Sequence, residues 1–434
     1  MKDFGLLFFR VSLAGKNDMR NCFLTAAAIV SMLTLSCRSG LEDMRGHRNP
    51  SAGGVHRTDS SSAGGPQAAL DTTIYTFGME FPESYDWRRD TAYGNVNCRV
   101  VLFANQKRIL ELDAGPGTGL SADADMHRIW DGHLYSDSRS GKETIIFKDG
   151  DEIVRYPGNE MICGLMVHYG KVHTLGQDRS GKGFSYRIDG ECILSDPEGR
   201  VTGDFYSSPL ESGTMYLDGD AVCFGYRSGD GQWYAARDGI PQKADTGGIE
   251  EVLALRCNGG SVDVCGTSSR YGGKLVLLRD GKVSVLWDRE ILSAGYCHIL
   301  PSGGRTFVIE GHQRRDGRTE SSLWENGLTR TYGTDYAGFW ISGGEYASIT
   351  LKGGRGIGTI KTPAGYWWFS DEMSLMTHSC VAYRKGVLLI AATPVRKELS
   401  PVLWKNGKSL ALVINGYLAG ISFAQSLEQT VDGL

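Results

Sequence analysis

The sequence predicts an all-β fold built from repeated units of four short antiparallel strands, and three observations support this. Apolar runs end repeatedly in Asp-Gly or Asn-Gly steps, as in IFKDG, LLRDG, LWENG and VLWKNG. Glycine is abundant, with 59 residues in a chain of 434. The turn glycines recur at intervals of 38 to 49 residues, at Gly150, Gly190, Gly239, Gly281, Gly327, Gly365 and Gly407. Units of this length are typical of β-propeller blades.

Each unit has an internal order that a second marker reveals. Asp-Gly and Asn-Gly favour two-residue hairpins because both central positions can adopt positive φ. A small residue inside an apolar run precedes each turn by 14 to 17 residues, namely Ser136, Gly176, Gly225, Gly266, Gly311, Ser348 and Ala391. We therefore expect four strands per unit, A to D, with tight A-B and C-D turns and a longer B-C connection.

The two chain ends together supply one further unit. Seven complete units extend from about residue 124 to residue 414. TIYTFGMEF and RVVLFANQKRILELD supply strands B to D of another unit near the N-terminus, and GYLAGISFA at residues 416–424 supplies its A strand. We predict eight four-stranded blades closed by this C-terminal strand, with seven blades as the alternative if the N-terminal strands lie outside the ring. Apolar residues that recur on the third strand are expected to pack between blades: Phe147, Leu277, Trp324 and Trp404.

The N-terminal residues predict export and a membrane anchor. Met19-Arg20-Asn21 gives a positive start, and the following apolar run is short for a membrane-spanning helix. LTLSC, which ends at Cys37, resembles the lipobox of bacterial lipoproteins, although Thr34 stands where Leu is usual. We expect residues 1–37 to be a signal and lipobox segment with a start-site extension before Met19, and Cys37 to be lipidated. A plain secretory signal or an anchored helix are the alternatives.

The remaining chain divides by composition. Residues 38–71 are rich in Ser, Gly and Arg and poor in large apolar residues, which is typical of a flexible tether. Residues 72–434 form the predicted propeller domain. The hairpins Trp324–Gly327 and Trp404–Gly407 resemble those of uncharacterised β-propeller lipoproteins of Gram-negative bacteria. The resemblance implies the fold and a lipid-anchored place in the cell envelope, at the outer membrane, and it implies no catalytic residue.

Composition and motifs exclude several functions. The net charge is −4, so the basic field of a general nucleic-acid binder is missing. The chain lacks a GxSxG elbow, an HExxH helix, a P-loop and sialidase Asp-boxes, so nothing points to an enzyme or a cofactor. No metal site is predicted, because the histidines on predicted A strands differ in depth or belong to distant blades: His127, His168, His298 and His378. Cys257 and Cys265 could pair across an A-B hairpin, and the spacing of the other cysteines predicts no disulfide.

The candidate ligand site is the face that carries the B-C connections. In the divided blade this connection is about a dozen residues longer than elsewhere, with the extra sequence PESYDWRRDTAYG. Its aromatic rings and charged groups suit a sugar or peptide ligand. The alternative is a loop plug with aromatic residues packed inward. The candidate contacts in this insertion are Tyr85, Trp87, Arg88, Arg89 and Asp90.

Every other B-C connection also contains arginine. The candidates are Arg139, Arg179, Arg227, Arg270, Arg315, Arg355 and Arg396. A ring of positive charge would suit an acidic glycan, a phosphate group or an acidic protein, whereas the alternative is that each arginine pairs with a nearby carboxylate. We therefore expect a membrane-tethered binding or scaffold module for a glycan or protein. A glycan-active hydrolase or lyase, or a structural spacer in an envelope complex, are the alternatives.

Overall fold

The computed structural model describes most of the predicted propeller domain. The described residues are 56–57, 73–88, 96–158, 160–178, 181–202, 214–290, 294–302, 304–313, 319–325, 327–332, 336–352, 356–369, 373–396 and 399–424. They belong to one compact unit, Val55–Leu434. The predicted signal segment, the predicted lipidation site Cys37 and nearly all of the predicted tether lie outside the described residues, and the domain boundaries stay predictions.

The described chain is almost entirely antiparallel β-structure. The strands of the first half are β1 His56–Arg57, β2 Ile74–Glu80, β3 Cys98–Ala104, β4 Lys107–Ala114, β5 His127–Trp130, β6 His133–Ser140, β7 Glu143–Lys148, β8 Asp151–Pro157, β9 Glu160–His168, β10 Lys171–Asp178, β11 Phe184–Ile188, β12 Glu191–Asp196, β13 Arg200–Val201, β14 Met215–Asp218, β15 Ala221–Arg227, β16 Trp233–Arg237 and β17 Ile240–Lys243.

The second half continues the same pattern. Its strands are β18 Glu251–Asn258, β19 Ser261–Ser268, β20 Lys274–Arg279, β21 Lys282–Glu290, β22 Ala294–Ser302, β23 Arg305–Gln313, β24 Thr319–Glu325, β25 Leu328–Tyr332, β26 Tyr336–Ser342, β27 Glu345–Lys352, β28 Gly356–Thr362, β29 Gly365–Trp368, β30 Met373–Ser374, β31 Val381–Arg384, β32 Val387–Pro394, β33 Val402–Lys405, β34 Lys408–Ala411 and β35 Gly416–Phe423. Three short 3-10 helices are described, Ala124–Met126, Ser269–Tyr271 and His378–Cys380.

Consecutive strands form consecutive four-stranded sheets, as expected for propeller blades. Strands β5 to β8, β9 to β12, β18 to β21 and β22 to β25 each make one sheet, and β15 to β17 make another in which β13 and β14 both pair with β15. The last two units share a sheet because β30 pairs with both β28 and β32, and β1 adds to its outer strand β29. The β-propeller fold class is thus confirmed by the order and pairing of the strands. The number of blades and the closure of the ring stay predictions.

The C-terminal strand completes the N-terminal sheet. Strand β35 pairs with β2, in the order β35-β2-β3-β4, and Phe77 stands opposite Gly420. Aromatic and aliphatic side chains of β35 are buried there, including Tyr417 and Leu418. This pairing explains why the residues at 416–424 follow the apolar pattern of an A strand while the first three strands of that sheet are more than 300 residues earlier.

The turn residues have a second role beyond their backbone conformation. Asp149, Asp189, Asp238 and Asn406 have φ between 41° and 52°, and each precedes a glycine with positive φ. Each also bonds twice to the first part of strand B in its own sheet. For example, Asp149 donates its backbone N–H to the Leu134 carbonyl oxygen at 2.8 Å, and its carboxylate accepts from the Leu134 N–H at 2.9 Å. An acceptor side chain at this position therefore fastens the C-D turn to the neighbouring hairpin.

Four small residues of the second marker, Gly78, Gly176, Gly266 and Gly311, lie opposite irregularities in strand A. At Gly78 and Gly266 the A-B register shifts by one residue. A β-carbon on Gly78 would lie 2.5 Å from the Tyr417 carbonyl oxygen, and one on Gly266 would overlap the Glu251 carbonyl oxygen. The bulge in strand A brings its backbone close to strand B, so only a very small residue fits there.

The core lies between neighbouring sheets. Trp404 and Leu277 are buried, whereas Phe147 and Trp324 are partly buried against core clusters, so the third-strand residues pack as expected from the sequence. Isolated apolar side chains on the outermost strands remain exposed, for example Ile240 and Leu328. No helix among the described residues is long and apolar enough to cross a membrane.

Candidate functional site

The B-C face is defined here as the surface at the end of the sheets where the second strand connects to the third, with all the strand ends that lie there. Five of the predicted arginines on it are described: Arg88, Arg139, Arg227, Arg270 and Arg396. Arg227, Arg270 and Arg396 are exposed, and Arg88 and Arg139 are partly buried. The predicted contacts Arg89, Asp90, Arg179, Arg315 and Arg355 lie outside the described residues.

Two arginines of this face lie side by side on adjacent strands. Arg200 in β13 stands directly opposite Arg227 in β15, and Arg227 stands directly opposite Trp233 in β16. Residues opposite each other in antiparallel strands point to the same side of the sheet. The three side chains therefore form one row across three strands, and we call Arg200, Arg227 and Trp233 the cationic row.

The geometry of the cationic row is held by local contacts. The Arg227 guanidinium lies over the Trp233 ring, 5.6 Å from its centroid, and its Nε donates to the Gly231 carbonyl oxygen at 3.3 Å. Arg200 Nε donates to the Gly181 carbonyl oxygen at 3.2 Å. In both arginines the Nε–H group thus donates a hydrogen bond to a carbonyl oxygen of a loop. Val201 and Tyr226, one step along the ladder, are buried on the opposite side of the sheet.

Two like charges directly opposite each other destabilise a sheet unless an anion lies near them. Within the described part of the chain, no carboxylate forms an ion pair with Arg200 or Arg227. Two acidic groups close to them in sequence have other partners: Glu198 pairs with Lys182 at 3.4 Å, and Asp230 accepts from Ser228 and from the Gln232 N–H. These hydrogen bonds lower the pKa of Asp230, so it stays ionised at neutral pH without a bond to either arginine.

Arginines elsewhere in the described strands behave differently. Arg155 bonds to Glu143 and Glu152, both at 2.6 Å, and Arg237 bonds to Asp218 at 2.6 Å. Arg305 bonds to Glu325 at 2.8 Å. The pairing of arginine with carboxylate that the alternative reading expected is therefore common in this protein, but it does not extend to the cationic row. Bidentate guanidinium groups that are not neutralised suit carboxylate, sulfate or phosphate ligands.

Two other arginines of the B-C face also lie near aromatic rings. The Arg88 guanidinium is 4.1 Å from the centroid of Trp87, and that of Arg270 is 5.9 Å from the centroid of Tyr271. Arg139 lies at the end of β6, where its Nε is buried without a hydrogen-bond partner among the described residues. Stacking of arginine on an aromatic ring orients the planar donor edge outward.

The long B-C insertion is anchored in the core. The Trp87 side chain is 3% exposed and belongs to the cluster formed by Phe77, Phe81 and Tyr417, and Tyr85 packs against the same cluster. The Phe81 and Tyr85 ring centroids are 5.3 Å apart. In the described part of the insertion the aromatic rings thus face inward, as the loop-plug alternative expects, and the buried Trp87 ring offers no face to a sugar.

The histidines expected on A strands do not share one environment. His127 is buried, with Nδ1 2.7 Å from Ser136 Oγ and Nε2 2.8 Å from the Ser121 carbonyl oxygen, and burial lowers its pKa to about 4. His168 Nε2 is 2.9 Å from the Asp220 carbonyl oxygen, and His378 lies in a 3-10 helix rather than a strand. Among the residues that the structure describes, no three His, Cys, Asp or Glu side chains are grouped as a metal ion would require.

Sequence reasoning missed Arg200, the partner of Arg227. It lies in the connection between the last strand of one sheet and the first strand of the next, whereas the search for arginines considered only B-C connections. The available signal was the alternation of antiparallel strands, which puts the connection after a fourth strand at the same end of the sheets as the connection after a second strand. Arg200 and Arg227 are brought together because β13 pairs with β15 at that edge.

Comparison with known proteins identifies no family and finds only distant structural likenesses. No protein-family model matches the chain, and no curated protein matches it in sequence. Among solved structures, the β-propeller domain of the trilobed protease from Pyrococcus furiosus is 13% identical, with 68% of this chain and 93% of that chain covered and a TM-score of 0.38. BBS1N in complex with ARL6DN is 10% identical, with coverages of 64% and 87% and a TM-score of 0.33. SapL1 lectin in complex with alpha methyl fucoside is 11% identical, with coverages of 58% and 95% and a TM-score of 0.29. At this level of similarity the function has to be argued from the chain's own residues.

Proposed function

We propose that this chain is a membrane-tethered, extracytoplasmic binding module that holds an acidic glycan on its B-C face. The observation that carries the proposal is the cationic row, in which Arg200 and Arg227 stand opposite each other without an ion pair among the described residues. An acidic glycan offers carboxylate or sulfate groups for the guanidinium edges and sugar rings for the partly exposed Trp233 ring.

The binding test is a panel of acidic and neutral polysaccharides offered to the full-length chain, purified in a mild detergent, at two salt concentrations. The double variant Arg200→Gln with Arg227→Gln is compared with a matched double variant, Arg155→Gln with Arg237→Gln. Both lose two positive charges, but each guanidinium of the second pair is already ion-paired with a carboxylate. We expect the wild-type chain to bind the acidic polysaccharides in a salt-sensitive way. Only the first double variant should lose this binding. Equal losses in both variants would show that net charge, rather than this site, governs binding.

The membrane location is a separate part of the proposal and rests on the LTLSC sequence before Arg38. Expression in a Gram-negative host with a radiolabelled fatty acid tests it. Label and membrane association are expected in the full chain and lost in Cys37→Ser. If Cys37→Ser remained labelled or membrane-bound, the anchor would have to be assigned elsewhere.

A further inference from the structure

Two buried cysteines from neighbouring sheets lie against each other. Cys223 in β15 is 0% exposed and Cys257 in β18 is 3% exposed, and both are free thiols. They share one small core cluster with Tyr216, Ala221 and Ala235. This contact was not predictable from the sequence, because 34 residues separate the two positions and they belong to different repeats.

Tyr216 fixes the relative position of the two cysteines. It stands directly opposite Cys223 in the ladder of β14 and β15, and its hydroxyl accepts the Cys257 backbone N–H at 2.6 Å. One rigid side chain thus contacts the backbone of one cysteine and is the cross-strand partner of the other. Cys223 Sγ is 3.8 Å from the Ala221 carbonyl oxygen and Cys257 Sγ is 3.8 Å from the Ala236 carbonyl oxygen, so both sulfurs lie at the same junction.

The two thiols also affect each other's protonation. A side-chain hydrogen bond between them is the largest influence on both groups. It raises the pKa of Cys223 and lowers the pKa of Cys257. Cys257 is therefore the thiol that loses its proton first, while Cys223 remains protonated beside it. A thiolate next to a second thiol is the arrangement from which a disulfide forms by exchange.

We propose that Cys223 and Cys257 form a disulfide that joins the two sheets. The oxidant is an external disulfide, either a small molecule or a dithiol oxidoreductase of the compartment to which the chain is exported. The Cys257 thiolate attacks one sulfur of that disulfide, which forms a mixed disulfide and releases one thiolate. Cys223 then loses its proton and attacks Cys257 Sγ, which releases the second thiolate. Overall, two protein thiols are oxidised and one external disulfide is reduced to two thiols.

The pairing expected from the sequence, Cys257 with Cys265, is wrong in this structure. In the ladder of β18 and β19, Cys257 stands opposite Val262 and Cys265 stands opposite Ala254. Cys265 belongs to a different core cluster, together with Leu277 and Cys297. The two proposals therefore predict different products, which peptide mapping separates.

The test refolds the full-length chain in reduced and oxidised glutathione, blocks the remaining thiols with N-ethylmaleimide under denaturing conditions, and digests with trypsin. Cleavage after Arg200, Arg227, Arg256 and Arg270 leaves Cys223 in the peptide 201–227 and both Cys257 and Cys265 in the peptide 257–270. We expect these two peptides to be linked, with a mass two hydrogens below their sum. Linkage must persist in Cys265→Ser and disappear in Cys223→Ser.

Each other outcome overturns the proposal. Two separately alkylated peptides would show that the thiols stay reduced, and an internal disulfide in the peptide 257–270 would restore the hairpin pairing. Cleavage before Asp263 separates Cys257 from Cys265 in the wild-type chain, so the assignment does not depend on a variant that folds. As a second readout, reductant is expected to lower the melting temperature of the wild type and of Cys265→Ser by several degrees, and to leave that of Cys223→Ser unchanged.

Discussion

Trp87 packs against Tyr417, with ring centroids 5.3 Å apart and an angle of 55° between the rings. Trp87 lies in the long connection between β2 and β3, whereas Tyr417 lies in the C-terminal strand β35. Tyr417 also contacts Phe81, with centroids 5.9 Å apart. The insertion is thus fastened to the strand that completes the N-terminal sheet, so its anchor is structural even though it lies on the B-C face.

Replacement of Trp87 by alanine tests this anchoring role. Because the side chain is 3% exposed in a packed cluster, Trp87→Ala is expected to lower the free energy of unfolding by about 3–5 kcal/mol. The matched control is Trp368→Ala, whose side chain is 39% exposed and which we expect to change stability by less than about 1 kcal/mol. Urea unfolding measures both. Equal effects would contradict a buried anchor.

Removal of the C-terminal strand tests its role in the N-terminal sheet. A chain that ends at Asn415 lacks β35, so β2 becomes an edge strand with unpaired N–H groups and exposed apolar residues. We expect the cooperative thermal transition to be lost, as measured by circular dichroism. A chain that ends at Ala424 keeps β35 and should melt like the full chain. If both truncated chains melted alike, β35 would not be needed for folding.

Gly266→Ala tests the small-residue marker of the repeat. A β-carbon at this position overlaps the Glu251 backbone oxygen, which cannot rotate away, so we expect a loss of about 1–3 kcal/mol or more. Ala391 occupies the equivalent marker position in a later unit, and Ala391→Gly should cost only about 0.5–1 kcal/mol. Chemical denaturation compares the two. A neutral Gly266→Ala variant would mean that strand A has no close approach there.

Asp137 provides a test of pH dependence. Its carboxylate is 1% exposed, and Arg128 Nη1 is 3.7 Å away, which is too far for a hydrogen bond. Burial raises its pKa from 3.8 to about 6. A raised pKa in the folded state gives stability that is present below pH 3.8 and lost as pH rises through 6. Asp137→Asn removes that loss, so the advantage of the variant should grow by about 2 kcal/mol between pH 4 and pH 7.

His127 changes the folding stability in the opposite direction over the same pH range. Its pKa is lowered from 6.5 to about 4, so its stabilisation is present above pH 6.5 and lost as pH falls through 4. In the wild type the two slopes oppose each other, and Asp137→Asn should reveal the His127 slope as a loss of stability on acidification. Unfolding free energies at five or six pH values measure this. A constant difference between variant and wild type would contradict a raised Asp137 pKa.

The geometry of the repeats was predictable from the sequence because turn residues and apolar patterns depend only on residues that are close together along the chain. Asn105 and Gln106 have positive φ at the predicted turn, and the apolar pattern of residues 416–424 placed β35 correctly. The bond from the Asp149 carboxylate to the Leu134 N–H was not predictable, since it joins residues 15 apart whose proximity depends on the sheet.

The candidate site was predictable only in part. Arg270 and Arg396 lie in B-C connections, as the sequence indicates, but the inward orientation of Trp87 depends on Tyr417, more than 300 residues later. The opposition of Arg200 and Arg227 depends on the pairing of β13 with β15. The contact of Cys223 with Cys257 depends on packing between two sheets. Spacing along the chain carries no information about any of these three relationships.

The salt dependence of binding to a sulfated polysaccharide tests the central claim most directly. Heparin serves as the acidic probe and dextran as the neutral one, and the affinity of the full-length chain is measured over a range of salt concentrations. Because each neutralised anionic group releases counterions, we expect the slope of log affinity against log salt to fall by roughly one to two in the Arg200→Gln and Arg227→Gln double variant. The Arg155→Gln and Arg237→Gln double variant should keep the wild-type slope. An unchanged slope in the first variant, or no binding of heparin by the wild type, would contradict the cationic row as the binding site.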